Sequence, residues 1–208
     1  MSEVRVLPGA LEDRYARVFI PPSPFVSKAI IHPGRGGSHE PAGRARIVLT
    51  PRPRETGAGQ VSLRPASAAD ASRLAEIARA AYGHYVERIG APPRPMVDDY
   101  AEVVDRGGVV VAEDGDRVVG LVVATSTGEG FLIDNLSVDP DHQGRGIGRA
   151  LLAQAEDQAR RAGHDSLYLY THELMSENLK LYARLGYEEY DRRDHGGAIL
   201  VYMRKQLG

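Results

Sequence analysis

The stretch Leu136-Ser137-Val138-Asp139-Pro140-Asp141-His142-Gln143-Gly144-Arg145-Gly146-Ile147-Gly148-Arg149-Ala150-Leu151-Leu152 constrains the fold more than any other part of the chain. An alternating apolar run stops at Asp-Pro, passes through three spaced glycines and opens directly into an amphipathic helix pattern. Strand, turn and helix in that order belong to a sheet with helices packed on its faces. A helix start leaves about four backbone N–H groups unpaired and carries roughly half a positive charge. Glycines at 144, 146 and 148 let a bulky anion approach that backbone and permit positive φ. Arg145 and Arg149 add positive charge. The expectation is a pyrophosphate site, against the plainer alternative of a glycine turn that only starts a helix. A Walker loop is excluded because no Lys-Ser/Thr follows. The dinucleotide pattern G-x-G-x-x-G fails at its last position, which is Arg149.

The surrounding pattern supplies the rest of a sheet. Val61 to Arg64 alternates as a strand; Ser67 followed by Asp70 opens a helix; and Leu74, Ile77, Ala78 and Ala81 fall on one helical stripe. Pro92, Pro93 and Pro95 stiffen a loop, Met96 to Asp105 reads as a short helix, and Gly107-Gly108 stops it. Val109–Glu113 and Arg117–Thr125 flank the turn Asp114-Gly115-Asp116 as a hairpin. Phe131–Val138 is a strand, Gly146–Ala162 a helix, Ser166–Tyr170 a strand and Met175–Leu185 a helix ended by Gly186. Tyr187–Tyr190 and Ala198–Arg204 close the sheet, with Asp191 to His195 read as a solvated turn. The expected fold class is α/β: a mixed, mostly antiparallel sheet of six to seven strands flanked by about four helices.

Composition sets the boundaries. The chain has 208 residues, 26 basic and 28 acidic, and no cysteine. Disulfide frameworks, thiolate metal sites and cysteine nucleophiles are thereby excluded. A near-neutral charge gives no global attraction to nucleic acid or anionic membrane, and no apolar run approaches a bilayer span. Neither a nucleic-acid nor a membrane partner is expected, and the expected location is cytoplasmic. Of the first 60 residues, 15 are Pro or Gly, and that segment carries +4 against −6 for the remainder. Residues 1–60 are therefore expected to be a disordered extension or part of an overlong gene model, with a small folded module as the alternative; residues 61–208 are expected to form the working domain. The scattered histidines, His84, His142, His164, His172 and His195 among them, show no ligand spacing, so no metal is expected.

Two motifs then point to a family. Gln143, Gly146 and Gly148 occupy a Q-x-x-G-x-G/A pattern, preceded by a Leu-x-Val-x-Pro strand. Downstream stands Glu177-Asn178-Leu179-Lys180-Leu181-Tyr182-Ala183-Arg184-Leu185-Gly186-Tyr187. Together they resemble the GNAT superfamily of N-acetyltransferases over residues 61–208. The resemblance implies acetyl-CoA as acyl donor. Leu136, Ser137 and Val138 would pair with the pantetheine arm. Gln143, Gly144, Arg145, Gly146, Ile147, Gly148 and Arg149 would hold the pyrophosphate, with Asn178 also reaching the coenzyme. It further implies Tyr182 as proton donor to the departing thiolate; a core tyrosine is the alternative.

Acyl transfer to an amine also needs a neutral nucleophile, and a lysine-like amine is only about 0.04% neutral at pH 7. Asp134, an acid in an apolar strand, is the candidate base, with a structural aspartate as the alternative and Glu87 and Glu173 in reserve. Acceptor contacts are expected from the aromatic, Pro-rich region after the first helix, namely Tyr82, His84, Tyr85, Glu87, Arg88, Ile89, Pro92 to Met96, Asp99 and Tyr100, and from Asn135, with a packed lid as the alternative. The expected activity is an acyltransferase that moves acetyl to a primary amine of a small molecule by direct ternary transfer, since no cysteine can carry the acyl group. A protein lysine or N-terminus as acceptor, a non-catalytic acyl-CoA sensor, and homodimerisation stay open.

Overall fold

A computed structural model of the protein describes residues 61–208. The Pro/Gly-rich extension, and the expectation attached to it, lies outside the described residues. Seven strands form one sheet: β1 Val61–Pro65, β2 Val109–Asp114, β3 Arg117–Thr127, β4 Gly130–Val138, β5 Ser166–His172, β6 Glu188–Asp194 and β7 Ile199–Gln206. Their spatial order is β1-β2-β3-β4-β5-β7-β6. Every pairing is antiparallel except β4 with β5. Helices α1 (Ala71–Tyr82), α2 (Tyr100–Arg106), α3 (Ile147–Arg161) and α4 (Ser176–Arg184) flank the sheet. The mixed, mostly antiparallel α/β architecture expected from the sequence is the one observed.

The two faces of the sheet are sealed by different helices. Ile147, Leu151, Leu152, Ala155 and Ala159 of α3 pack on Val110, Ala112, Val122, Ile133 and Leu169. On the opposite face Leu74, Ile77 and Ala78 of α1 and Tyr100 and Val103 of α2 cover Val109, Val111 and Leu121. Period 2 in the strands and 3.6 in the helices place these residues together. Each fully buried Leu, Ile or Val contributes about 1.5–3 kcal/mol relative to exposure.

Three local expectations change. The region around Met96–Asp105 divides into a 3-10 turn, Arg94–Met96, and the helix α2. The break comes from Asp99, whose carboxylate accepts from the amides of Ala101 and Glu102 and so caps α2 from outside. The segment after α1 is wound rather than open: Gly83–Tyr85 is a 3-10 turn, and Val86–Ile89 is one helical turn. The charged run at 191–195 is mostly strand, with the turn shifted to 195–198. An edge strand is solvated on both faces, so its polar pattern imitates a turn. Here the Arg193 guanidinium lies 4.0 Å above the Tyr202 ring and Arg192 pairs with Glu189.

One irregularity positions everything that follows. Val123 pairs with Asn135, but Ala124 pairs with Ile133, so Asp134 is an extra, bulged residue in β4. The parallel pairing of β4 with β5 covers only Phe131–Ile133 against Leu167–Leu169. Beyond that, β5 continues to His172 alongside β7, while β4 runs to Val138 with no strand on its β5 side among the described residues. The sheet opens into a wedge at Asp134.

Candidate active site

The wedge holds two joined cavities. The larger, about 760 Å³, lies over the start of α3 and is lined by Leu136, Val138, Gln143, Gly144, Gly146, Ile147, Gly148 and Arg149, with Asn178 and Tyr182 of α4 opposite. Gly144 and Gly146 take φ of 75° and 82°, a region that glycine enters without steric cost. A side chain at either would meet no atom of the described residues within 4 Å, so among these residues the backbone there faces open space. Gly146 is the residue immediately before α3, and the helix amides emerge into the cavity.

The turn is braced from behind. Burial works against a charge on Asp139, but the Arg73 guanidinium and the Asp141 amide outweigh it and hold that carboxyl below its ordinary range. Gln143 donates from Nε2 to the Val138 carbonyl at 3.1 Å, tying the turn to the end of β4. Arg145 is drawn aside by Asp114 at 2.8 Å and does not line the cavity, whereas Arg149 does. Ser137 is buried, with its hydroxyl donating to Asn135 Oδ1 at 2.9 Å.

The smaller cavity, about 70 Å³, lies deeper between the separated strands. On its polar wall the bulge presents Asp134 to Arg94, which donates to both carboxylate oxygens at 3.1 and 3.2 Å, and to the Tyr170 hydroxyl, which donates at 2.8 Å. Arg94 Nε reaches Asp98 at 3.2 Å. Burial disfavours the guanidinium charge, yet Asp134, Tyr170 and Asp98 outweigh it and hold the Arg94 pKa up. Burial, and then the nearby Asp134, push the Asp98 carboxyl up against the counter-effect of Arg94. His172 also lines this cavity; burial lowers its imidazole pKa, and its Nδ1 accepts the Leu174 amide at 3.1 Å.

Four residues line both cavities: Tyr82, Leu136, Asn178 and Tyr182. Asn178 and Tyr182 stand at i and i+4 on α4, so one helix face delivers both. Tyr182 is 7% exposed; burial raises its phenol pKa, and its hydroxyl has no hydrogen-bond partner among the described residues. The Tyr82 hydroxyl donates to Asn135 Oδ1 at 3.2 Å, and Tyr85 donates to Asn178 Oδ1 at 3.3 Å.

Some expected residues lie elsewhere. Glu87 is exposed and lines neither cavity. Arg88 lines neither but pairs at 2.7 Å with Glu177 on the rim of the larger cavity, and Glu173 faces Arg192. Asn135 lines the inner cavity, with Oδ1 accepting from Ser137 and Tyr82 and one Nδ2 hydrogen donated to the Tyr100 hydroxyl. Sequence reasoning passed over Asp98 and Tyr170, weighed His172 only as a metal ligand, and included Arg94 only within the Pro92–Met96 loop expected to meet the acceptor, of which Pro93, Arg94 and Pro95 line the inner cavity. A period-2 signal was present: Tyr168, Tyr170 and His172 share one face of β5. Among the described residues, no group of His, Asp and Glu is arranged to hold a metal, and no helix is long and apolar enough to cross a membrane.

Comparison with known proteins gives one family. Residues 105–189 match the family model for the acetyltransferase (GNAT) domain. Streptothricin acetyltransferase of Streptomyces lavendulae is 34% identical over 80 residues, which is 38% of this chain and 42% of that protein. The [ribosomal protein bS18]-alanine N-acetyltransferase of Escherichia coli K12 is 38% identical over 55 residues, 26% of this chain and 37% of that one. The chain thus spans about four-tenths of the length of these curated relatives. The crystal structure of PaiA N-acetyltransferase from Thermoplasma acidophilum in complex with coenzyme A has the same fold. It superposes with a TM-score of 0.60 at 18% identity, covering 70% of this chain and 98% of that one.

Proposed function

Since the chain belongs to the GNAT superfamily of acetyltransferases, we propose that residues 61–208 form an acetyl-CoA-dependent N-acetyltransferase acting on the primary amine of a small molecule. The observation that carries this reading is the junction of a wide groove with a small inner cavity at Tyr82, Leu136, Asn178 and Tyr182. Acyl transfer needs a donor and an acceptor admitted from opposite sides to one point.

The groove fits the donor. The backbone of Gly144 to Arg149, with Gly144 and Gly146 bare of any neighbour, suits a pyrophosphate, and the Arg149 side chain adds charge. Past the bulge, the β5 side of Leu136 to Val138 is an unpaired strand edge that a pantetheine amide chain can extend. The coenzyme A bound by the Thermoplasma protein supports the same assignment through the shared fold. The bound donor supplies an activated thioester carbonyl.

The chain's own residues do the remainder. In the transfer a C–N bond forms, the C–S bond breaks, the amine loses a proton and the sulfur gains one. Tyr182, unpartnered at the junction, is placed to donate that proton; its raised pKa keeps the phenol protonated until the thiolate forms. Asp134, held by Arg94 and Tyr170, is the candidate to receive the ammonium proton. The acyl group passes directly between substrates, for the chain has no cysteine thiol to hold it.

The inner cavity favours a small acceptor, because the Pro93–Asp98 segment lines it and leaves about 70 Å³. Coenzyme A release should be measured with small primary amines and with peptides bearing a free N-terminal alanine or a lysine. Turnover on small amines is the expected result. Turnover on peptides alone would replace the acceptor class, and saturable acetyl-CoA binding with no turnover on anything would replace the transferase by a binding module.

A further inference from the structure

His172 ends β5 at the floor of the inner cavity and is only 8% exposed. Its Nδ1 is committed as an acceptor to the Leu174 amide. The neutral ring therefore carries its proton on Nε2, and burial, which lowers the ring's pKa, favours the neutral form. Nε2 has no partner among the described residues. Nε2–H is thus a neutral donor on a cavity-lining side chain, with no acceptor among the described residues and still open to solvent; a molecule that fills the cavity displaces that solvent and must replace its hydrogen bond.

A second group of lining residues has the opposite polar requirement. One guanidinium, Arg94, lies between two carboxylates, Asp98 and Asp134, so this wall attracts a cation. Tyr170, whose hydroxyl rests on Asp134, and His172 are two residues apart on one strand face, where successive side chains stand about 7 Å apart. One small molecule can meet both.

Within the acetyl-transfer reading, we propose that the acceptor is a small amine bearing a hydrogen-bond-accepting oxygen near its amino group, and that His172 reads this oxygen through Nε2–H. The ammonium end faces Asp134 and Asp98; the oxygen end faces His172. An amine with a methyl group in place of the oxygen leaves Nε2–H buried and unpaired, and that penalty sets the selectivity.

The test compares 2-aminoethanol with propylamine, which differ by a hydroxyl in place of a methyl. His172→Asn keeps an acceptor at the δ position for the Leu174 amide but removes the ε donor, while His172→Gln restores a donor near the ε position. The preference of wild-type protein for 2-aminoethanol, as a ratio of kcat/KM, should fall about tenfold in His172→Asn and recover in part in His172→Gln. The basicity difference between the amines cancels, because the same pair is used throughout. A ratio unchanged in His172→Asn overturns the proposal and leaves acetyl transfer standing. In parallel, the His172 ring nitrogens are followed by ¹⁵N NMR in the protein saturated with coenzyme A. A response of Nε2 to 2-aminoethanol and not to propylamine, with no turnover on any amine or peptide offered, upholds His172 recognition and overturns the transfer reading. No response and no turnover overturn both.

Discussion

The groove proposed for the donor and the cavity proposed for the acceptor adjoin but are built by opposite strategies. One wall of the groove is local in sequence: β4, the turn at 139–146 and the start of α3 are one continuous segment that presents backbone amides, while residues 81–85 and 177–185 line the rest. The cavity is assembled from residues that lie far apart in the chain, Arg94, Asp98, Asp134, Tyr170 and His172, and its ligand-facing groups are side chains. Backbone amides at a helix start bind any compact anion, so this part can stay constant while partners vary. Side chains brought in from separate loops and strands can each change alone, and that is where selectivity resides. The first depends on conformation and the second on packing.

The largest effect should come from breaking the conformation. Gly146→Asp places a side chain at φ 82° and a negative charge at a helix start meant for an anion. Coenzyme A affinity should fall by at least about 10²-fold in calorimetry, while 2-aminoethanol still perturbs the His172 ring signals. Wild-type affinity would contradict the anion site. Next is the junction itself. Tyr182→Phe should lower kcat by about 10²-fold with coenzyme affinity within about twofold, because only the proton is removed; an unchanged kcat would return Tyr182 to a packing role. The smallest effect belongs to the cavity wall. Arg94→Met strands Asp134 beside Asp98 and should cost about 2 kcal/mol of stability, less than the about 3–5 kcal/mol of a sealed pair, since water reaches both side chains. Adding Asp134→Asn should recover part of that loss, and coenzyme affinity should not move in either variant. If the double variant is no more stable in urea than the single, the pair is not coupled in the way the geometry implies.

These two strategies explain what could be read early. The Gly144–Gly148 turn, the α3 stripe and the Asn178/Tyr182 spacing all lie within short windows, where turn chemistry and a 3.6 period suffice. The hairpin of β2 and β3 and the seven-strand pattern were legible for the same reason. The β6 edge was misread because solvation on both faces removes the alternation that marks a strand. Arg94 stood in view within a proline-rich loop, yet nothing local to it announces Asp134, 40 residues away. Glu87 and Arg88 had the right chemistry in the right segment, but the helical turn at 86–89 carries them away from the cavity.

By itself, then, the amino-acid order determined an α/β sheet, a glycine turn at Gly144–Gly148 that opens a helix and a tyrosine one helical turn beyond Asn178, because each arises from backbone preferences within a few residues. Tertiary structure alone decided that β4 bulges at Asp134 and leaves β5 after Ile133, that Arg94 meets Asp134 across the gap, and that His172 closes its floor. Those contacts depend on the register and twist of distant strands, which are settled only when both faces of the sheet are packed.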